Sequence, residues 1–246
     1  MKRMHWQIIL GLSMILLSIV VYVFHYIIFR DAHHIFIYLI GDIAFVFIEV
    51  LLVTLIIHRV LEEREKRARL EKMNMVIGAF FSQVGTWLLT FISHHDKHIE
   101  AIRKELVLTD NWSKHRFAKA NKRLGAYPYE VEIEKVPLDT LRTFLKGENN
   151  FLLRLLENPN LLEHETFTEL LRAVFHLTEE LLARNELTRL PPADTQHLAG
   201  DIHRAYNLLV HQWLKYAEYL KNNYPYLFSL IMRTNPFDEH SSPVVT

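Results

Sequence analysis

Residues 35–57 read IFIYLIGDIAFVFIEVLLVTLII, a stretch of 23 residues in which Asp42 and Glu49 are the only charged side chains. As a helix rising 1.5 Å per residue it is about 35 Å long, enough to cross a hydrocarbon core of about 30 Å with some tilt. It is apolar around almost its whole circumference, whereas a helix on the surface of a water-soluble domain keeps a polar face. Working back along the chain, residues 8–29 (IILGLSMILLSIVVYVFHYIIF) form a second such stretch, 22 residues without Asp, Glu, Lys or Arg. Lys2 and Arg3 before it give the look of a secretory signal. The apolar part is nevertheless longer than a signal's 7–15 residues, and no small-x-small cleavage site follows, so it reads as an uncleaved span. Only Arg30-Asp31-Ala32-His33-His34 separates the two stretches, which leaves room for an antiparallel hairpin and nothing else.

Charge orients the hairpin. Arg59, Arg64, Lys66, Arg67, Arg69 and Lys72 follow the second span, Lys2 and Arg3 precede the first, and the turn's Arg30 is cancelled by Asp31. The positive-inside rule then puts both termini in the cytoplasm, with the chain in the cell (inner) membrane. Tyr22, Tyr26 and Tyr38 fall toward the outer end, where aromatic rings suit the interface.

The two acids need partners. Asp42 and Glu49 are seven residues apart and share one helix face. Each costs roughly 2.5–3.5 kcal/mol at mid-span, set against roughly 0.3–0.6 kcal/mol returned by each Leu, Ile, Val or Phe around them. With the turn centred near Ala32, Asp42 lies at the depth of Tyr22, with His25 one turn further out, and Glu49 lies near Ser18. A polar seam of Ser18, Tyr22, His25, Asp42 and Glu49 is therefore expected, fixing helix packing or an oligomer contact. The rival reading is a proton or cation path, which a hairpin this thin could form only in several copies.

Composition narrows the rest. Lys plus Arg and Asp plus Glu both total 28, so the formal charge is zero, and a general nucleic-acid binder would show a basic excess. The absence of cysteine excludes disulfide scaffolds, thiolate metal sites and cysteine nucleophiles. Seven Gly and eight Pro argue against disordered or Gly-rich repeat architectures.

After the hairpin (1–57) comes a juxtamembrane segment, 58–93. It opens with the charged run HRVLEEREKRARL, then places Leu70, Met73, Ile77, Phe80, Val84, Trp87 and Phe91 at alternating steps of three and four. That is an a/d seam over three heptads, expected to pack on another helix or on a second copy. Gly78, Ser82 and Gly85 form a small-residue stripe on another face. A third span over 75–92 is the competing reading. Residues 94–235 read as a cytoplasmic helical domain, with helices over 111–124 (N-capped by Asp110), 139–156, 165–185, a long one N-capped by Asp194, and 225–232. Tyr127 to Val136 alternates like a strand. The tail 236–246 reads as disordered. The expected fold is thus an all-α membrane protein with a two-helix transmembrane hairpin and a cytoplasmic helical domain.

Fifteen histidines make chance clusters. His94 and His98 are i,i+4 with Glu105 further along, a weak metal candidate without a third close ligand. The His95-Asp96 doublet resembles that of metal-dependent HD phosphohydrolases, but the spaced partners are missing. His197 with Asp201 and His176 with Glu179 and Glu180 read as intrahelical pairs. No Gly-rich phosphate loop, G-x-S-x-G elbow or H-E-x-x-H is present. No catalytic residue is assigned, no cofactor is implied, and the balance leans away from an enzyme.

Four blocks, HHIFIYLIGDIAFVFIEVLLVTLIIHR (33–59), LEKMNMVIGAFFSQVG (70–85), ENPNLLEHETFTELLRAVFHLTEELL (157–182) and NNYPYLFSLIMRTNPFD (222–238), resemble a group of uncharacterised prokaryotic two-transmembrane proteins with a cytoplasmic helical domain. The resemblance implies topology and no activity. The expectation is a membrane-anchored, self-associating interaction or scaffold protein, with membrane lipid, further copies of itself and an unidentified protein as partners and no nucleic acid. The alternatives are a component of a small oligomeric ion or proton channel using Asp42 and Glu49 and, more weakly, a membrane-tethered enzyme with a histidine-based site.

Overall fold

The computed structural model describes residues 2–161 and 164–244 and is all-helical. It divides into two units, Met1–Arg67 and Ala68–Thr246.

The first unit consists of α1 (Lys2–Phe29) and the first part of α2 (Ala32–Phe80). The link is shorter than the expected five-residue turn, because α2 absorbs Ala32, His33 and His34. Arg30 adopts a left-handed backbone (φ 47°) and donates its N–H to the Tyr26 carbonyl at 2.9 Å, closing α1. Asp31 Oδ1 accepts the His34 N–H at 3.1 Å and caps α2. That same bond, with the nearby imidazole of His34, holds the Asp31 carboxyl below its ordinary range. The most apolar windows of the two helical runs, Ile8–Phe29 and Ala32–Ser93, have mean hydropathies of 2.4 and 2.5, and none of either window is buried. By length and composition both can cross a membrane.

In the second unit the end of α2 passes through a π-helical turn, Phe81–Gly85, into α3 (Thr86–Ser93). Then follow α4 (Glu100–Leu106), α5 (Lys114–Leu124), α6 (Leu138–Leu156), α7 (Glu165–Ala183), α8 (Pro192–Asn223) and α9 (Pro225–Arg233). The long α8 is the hub, packed on α3, α5, α7 and α9. The row that its 3.6-residue period predicts, Leu198, Ile202, Ala205, Leu209, Trp213, Tyr216 and Leu220, is buried except for Tyr216, which is half-buried.

The π turn corrects the heptad reading. Met73, Ile77, Phe80 and Val84 are buried as expected, but within the chain's own core, while Leu70 stays exposed. A π turn inserts one extra residue and rotates everything after it by about 100°. Past it, Leu88 and Ile92 are buried in place of Trp87 and Phe91. Trp87 stacks instead on Phe144 of α6, ring centroids 3.7 Å apart. The chain's own helices cover most of this seam, so it does not stand open for a second copy. The 75–92 stretch is likewise part of this core rather than a free apolar span. The glycine stripe has local causes. A Cβ on Gly85 would lie 2.6 Å from the Phe81 ring and 2.8 Å from the Phe80 ring, and one on Gly78 would lie 2.6 Å from the Tyr216 hydroxyl.

Caps differ from expectation too. Ser113, not Asp110, caps α5, its side chain accepting the Arg116 N–H. Pro191 precedes α8, and Asp194 sits inside the first turn. Residues 127–136 form no strand among the described residues. They make one antiparallel bridge, Val131 to Asp96, and then a 3₁₀ turn, Ile133–Lys135. This extended segment thus finds its bridge partner in its own chain. The tail was expected to be disordered from residue 236, yet Phe237 is buried with its ring 5.2 Å from that of Trp213. Asn235 anchors the approach by donating to the Leu106 carbonyl at 2.9 Å.

Candidate functional site

Two i,i+4 pairs that look unremarkable on their own helices are brought face to face. On α7, His176 and Glu180 share one face, and on α8, His197 and Asp201 share another. The α7–α8 packing pairs them in opposite directions along the two helices. His176 Nε2 lies 3.7 Å from Asp201 Oδ2, and His197 Nε2 lies 3.6 Å from Glu180 Oε2. The same-helix contacts complete the cluster: His197 Nε2 to Asp201 Oδ2 at 3.4 Å and His176 Nε2 to Glu180 Oε1 at 3.7 Å. Donor atoms of His176, His197 and Asp201 all fall within 4.8 Å of one another. Asp201 is 4% exposed, and its Oδ2 accepts no hydrogen bond.

Arginines frame the cluster. Arg184 places Nε and Nη2 on the two carboxylate oxygens of Asp194 (2.9 and 2.5 Å) and Nη1 on Glu180 Oε2 (2.7 Å). This fork ties the end of α7 to the first turn of α8 and holds both carboxyls below their ordinary range, while Arg184 itself is pushed up by its bonds to Asp194 and Glu180. Arg204 Nη1 approaches Asp201 Oδ1 at 3.6 Å. Beside His176 a groove of about 660 Å³ opens, lined among others by Arg172, His203, Arg204 and Asn207.

The other histidine candidate is dispersed. His94 Nδ1 bonds the Thr90 carbonyl, His98 Nε2 donates to Glu130 Oε2 at 2.9 Å, and Glu105 is held by Arg116 and Arg123. His94, His98 and Glu105 therefore form no common site. Asp96, between them, is a buried anchor. It accepts the Tyr127 hydroxyl at 2.6 Å and the His98 N–H at 3.0 Å. Burial first, then the hydrogen bond to Asp96 for Tyr127 and the Asp96 charge for Tyr206, pushes both hydroxyls well up.

In the hairpin, Asp42 and Glu49 are exposed. Among the described residues, neither is hydrogen-bonded to Ser18, Tyr22 or His25. The expected polar seam is not closed inside one chain. His25 instead stacks on His34, centroids 6.2 Å apart, and His34 lies 4.6 Å from Tyr38.

A second, apolar groove of about 680 Å³ is lined by Met75, Tyr216, Tyr224, Tyr226 and Leu230, among others, from α2, α8 and α9. Sequence reading found neither groove, since each is made by helices distant along the chain.

Comparison with known proteins matches two family models in tandem. Residues 2–61 match "MJ1433, N-terminal helical domain", and residues 69–233 match "Uncharacterized protein MJ1433, C-terminal helical domain". The Uncharacterized protein MJ1433 of Methanocaldococcus jannaschii is 48% identical over 241 residues, covering 98% of this chain and 97% of that protein. No solved structure matches.

Proposed function

The chain belongs to the uncharacterised MJ1433 family, and on that premise we propose that it is a membrane-anchored helical interaction protein. Residues 8–29 and 35–57 cross the cell membrane as a hairpin with both termini in the cytoplasm. The observation that carries this is exposure. From Ile8 to Leu70 no described residue is buried, and only His25, His34, Ile35 and Leu39 are even half-buried. Water-soluble monomers rarely expose contiguous apolar patches beyond a few hundred Å², and lipid removes the conflict. The exposed Asp42 and Glu49 add a second element: further copies of the hairpin supply the polar partners that α1 does not. On the helical domain, the apolar groove between α2, α8 and α9 is the surface we assign to a protein partner.

The chain lacks cysteine, so single engineered thiols report topology without background. Ala32→Cys is expected to label from outside sealed cells with a membrane-impermeant maleimide, and Ser242→Cys only after permeabilisation. Labelling of Ser242→Cys in sealed cells, or release of the protein from membranes by alkaline carbonate, would overturn the reading.

A further inference from the structure

We propose that His176, His197 and Asp201, with Glu180 beside them, form a binding site for a divalent cation of the zinc class on the helical domain.

The cluster is not a hydrogen-bonded network. Its four imidazole–carboxylate separations run from 3.4 to 3.7 Å. All exceed the 2.7–3.2 Å of an N–H···O hydrogen bond. Two imidazoles and two carboxylates are thus gathered around a common point without being bonded to one another. Asp201 Oδ2 sharpens the point. Its residue is 4% exposed, and this oxygen accepts no hydrogen bond, an unfavourable arrangement for a buried carboxylate unless something electropositive faces it. The neighbouring Arg204 faces the other oxygen, Oδ1.

The spacing fits a metal. Zinc binds imidazole nitrogen and carboxylate oxygen at about 2.0–2.2 Å, so the edges of its tetrahedron measure about 3.4 Å. The separations from Asp201 Oδ2 to the two Nε2 atoms are 3.4 and 3.7 Å. Glu180 is placed to add a fourth donor. Arg184 holds its Oε2 at 2.7 Å, which leaves Oε1 facing His176 at 3.7 Å. An arginine that positions a ligand carboxylate is the kind of outer support metal sites carry. The donor set selects the ion. Two imidazoles disfavour calcium and magnesium, which take oxygen ligands, and suit zinc and its first-row neighbours. Entry is open, since the imidazoles are 42% and 52% exposed.

The full chain, purified in mild detergent and stripped with a chelator, is titrated with cobalt(II) and then zinc. One equivalent of cobalt is expected to bind with the strong visible d–d absorption of a four- or five-coordinate site, and zinc is expected to abolish it. His197→Ala should weaken zinc binding by about 100-fold or more, beyond the 10–100-fold typical of losing an outer partner. His197 is half-exposed, so this variant keeps its fold, which far-ultraviolet circular dichroism checks. Asp201→Asn should lose the cobalt band as well, and His94→Ala with His98→Ala should leave it unchanged. As an independent readout, zinc should raise the melting temperature of the native chain but not of His197→Ala. Absence of a stoichiometric cobalt band in the native chain, or equal zinc affinity in native and His197→Ala proteins, overturns the proposal.

Discussion

The Tyr127 hydroxyl donates to Asp96 Oδ2 at 2.6 Å, joining the extended segment before α6 to the turn after α3. Around this bond the Lys97 N–H donates to the Glu130 carbonyl at 3.0 Å and the Glu132 N–H to the His95 carbonyl at 2.9 Å. Tyr129, with φ 50°, turns the chain between them. Tyr127→Phe removes the donor and leaves a buried carboxylate oxygen short of a partner. It is expected to destabilise the domain by about 1–3 kcal/mol. Chemical denaturation should show a lower midpoint at unchanged slope. An unchanged midpoint would mean that the bridge is held by its backbone bonds alone.

Glycine substitutions should have opposite signs at two positions. Gly147 lies inside α6 with nothing within 4 Å of an added Cβ, so Gly147→Ala is expected to stabilise by about 0.5–1 kcal/mol through helix propensity. Gly85→Ala gains the same propensity but drives a methyl to 2.6–2.8 Å from the buried Phe80 and Phe81 rings. Overpacking of this kind costs about 1–3 kcal/mol, and the net effect is expected to be a loss. Thermal melts of the two variants should move in opposite directions from the native chain.

The π turn is testable by deletion. Removing Ser82, an exposed residue within it, takes out the one extra residue, so the helix should regain α-helical register with Leu88 and Ile92 still in the places they now occupy. The domain is expected to keep a cooperative melt. Loss of that melt would show that the core needs the wide turn itself and not only the rotation it imposes on α3.

That rotation also marks where sequence reading stops. The heptad seam was legible from Met73 to Val84 because it depends on spacing alone. Beyond that, the register depends on Gly85 leaving space for two phenylalanine rings, a contact that no period encodes. The same limit applies to the histidines. The pairs His176–Glu180 and His197–Asp201 were visible as i,i+4 neighbours, but their convergence requires α7 to pack on α8. His94 and His98, equally spaced, converge on nothing. The two apolar helical runs were legible because their composition needs no tertiary partner to be recognised, although α2 continues well past residue 57 to Phe80.

His164 makes the start of α7 sensitive to pH. Its Nδ1 accepts the Phe167 N–H at 3.1 Å as the helix N-cap, which requires the neutral ring. Burial, and secondarily the Lys215 charge, lower its pKa below the ordinary value. The folded state therefore prefers neutral His164. The cap's contribution is present in full above the unfolded pKa of about 6.5 and is lost as pH falls through the lower folded value. Amide exchange at Phe167 and Thr168 should slow on acidification by less than the intrinsic base-catalysed rate does, so that their protection falls. His164→Asn, which caps without titrating, should remove that fall in protection. Equal acid sensitivity in the two proteins would place the titrating group elsewhere.

The exposed acids of the hairpin carry the last prediction. Asp42 and Glu49 lie on one face of α2 and, among the described residues, receive no hydrogen bond from α1. In lipid, a lone hairpin would hold two costly groups with nothing to satisfy them. Replacing both with leucine removes roughly 2.5–3.5 kcal/mol of insertion cost each and adds apolar gain, so membrane insertion should be at least as efficient. If the acids serve a contact between copies, the same variant should lose assembly: cross-linking in native membranes is expected to fall from oligomer to monomer while total membrane-bound protein holds or rises. Insertion and assembly then move in opposite directions, an outcome that general misfolding does not produce. Asp42→Asn with Glu49→Gln separates the remaining possibility, because amides keep hydrogen bonding but cannot carry a proton. Retained oligomers with unchanged proton permeability support a packing contact. Retained oligomers with altered permeability would replace it with a conduction path.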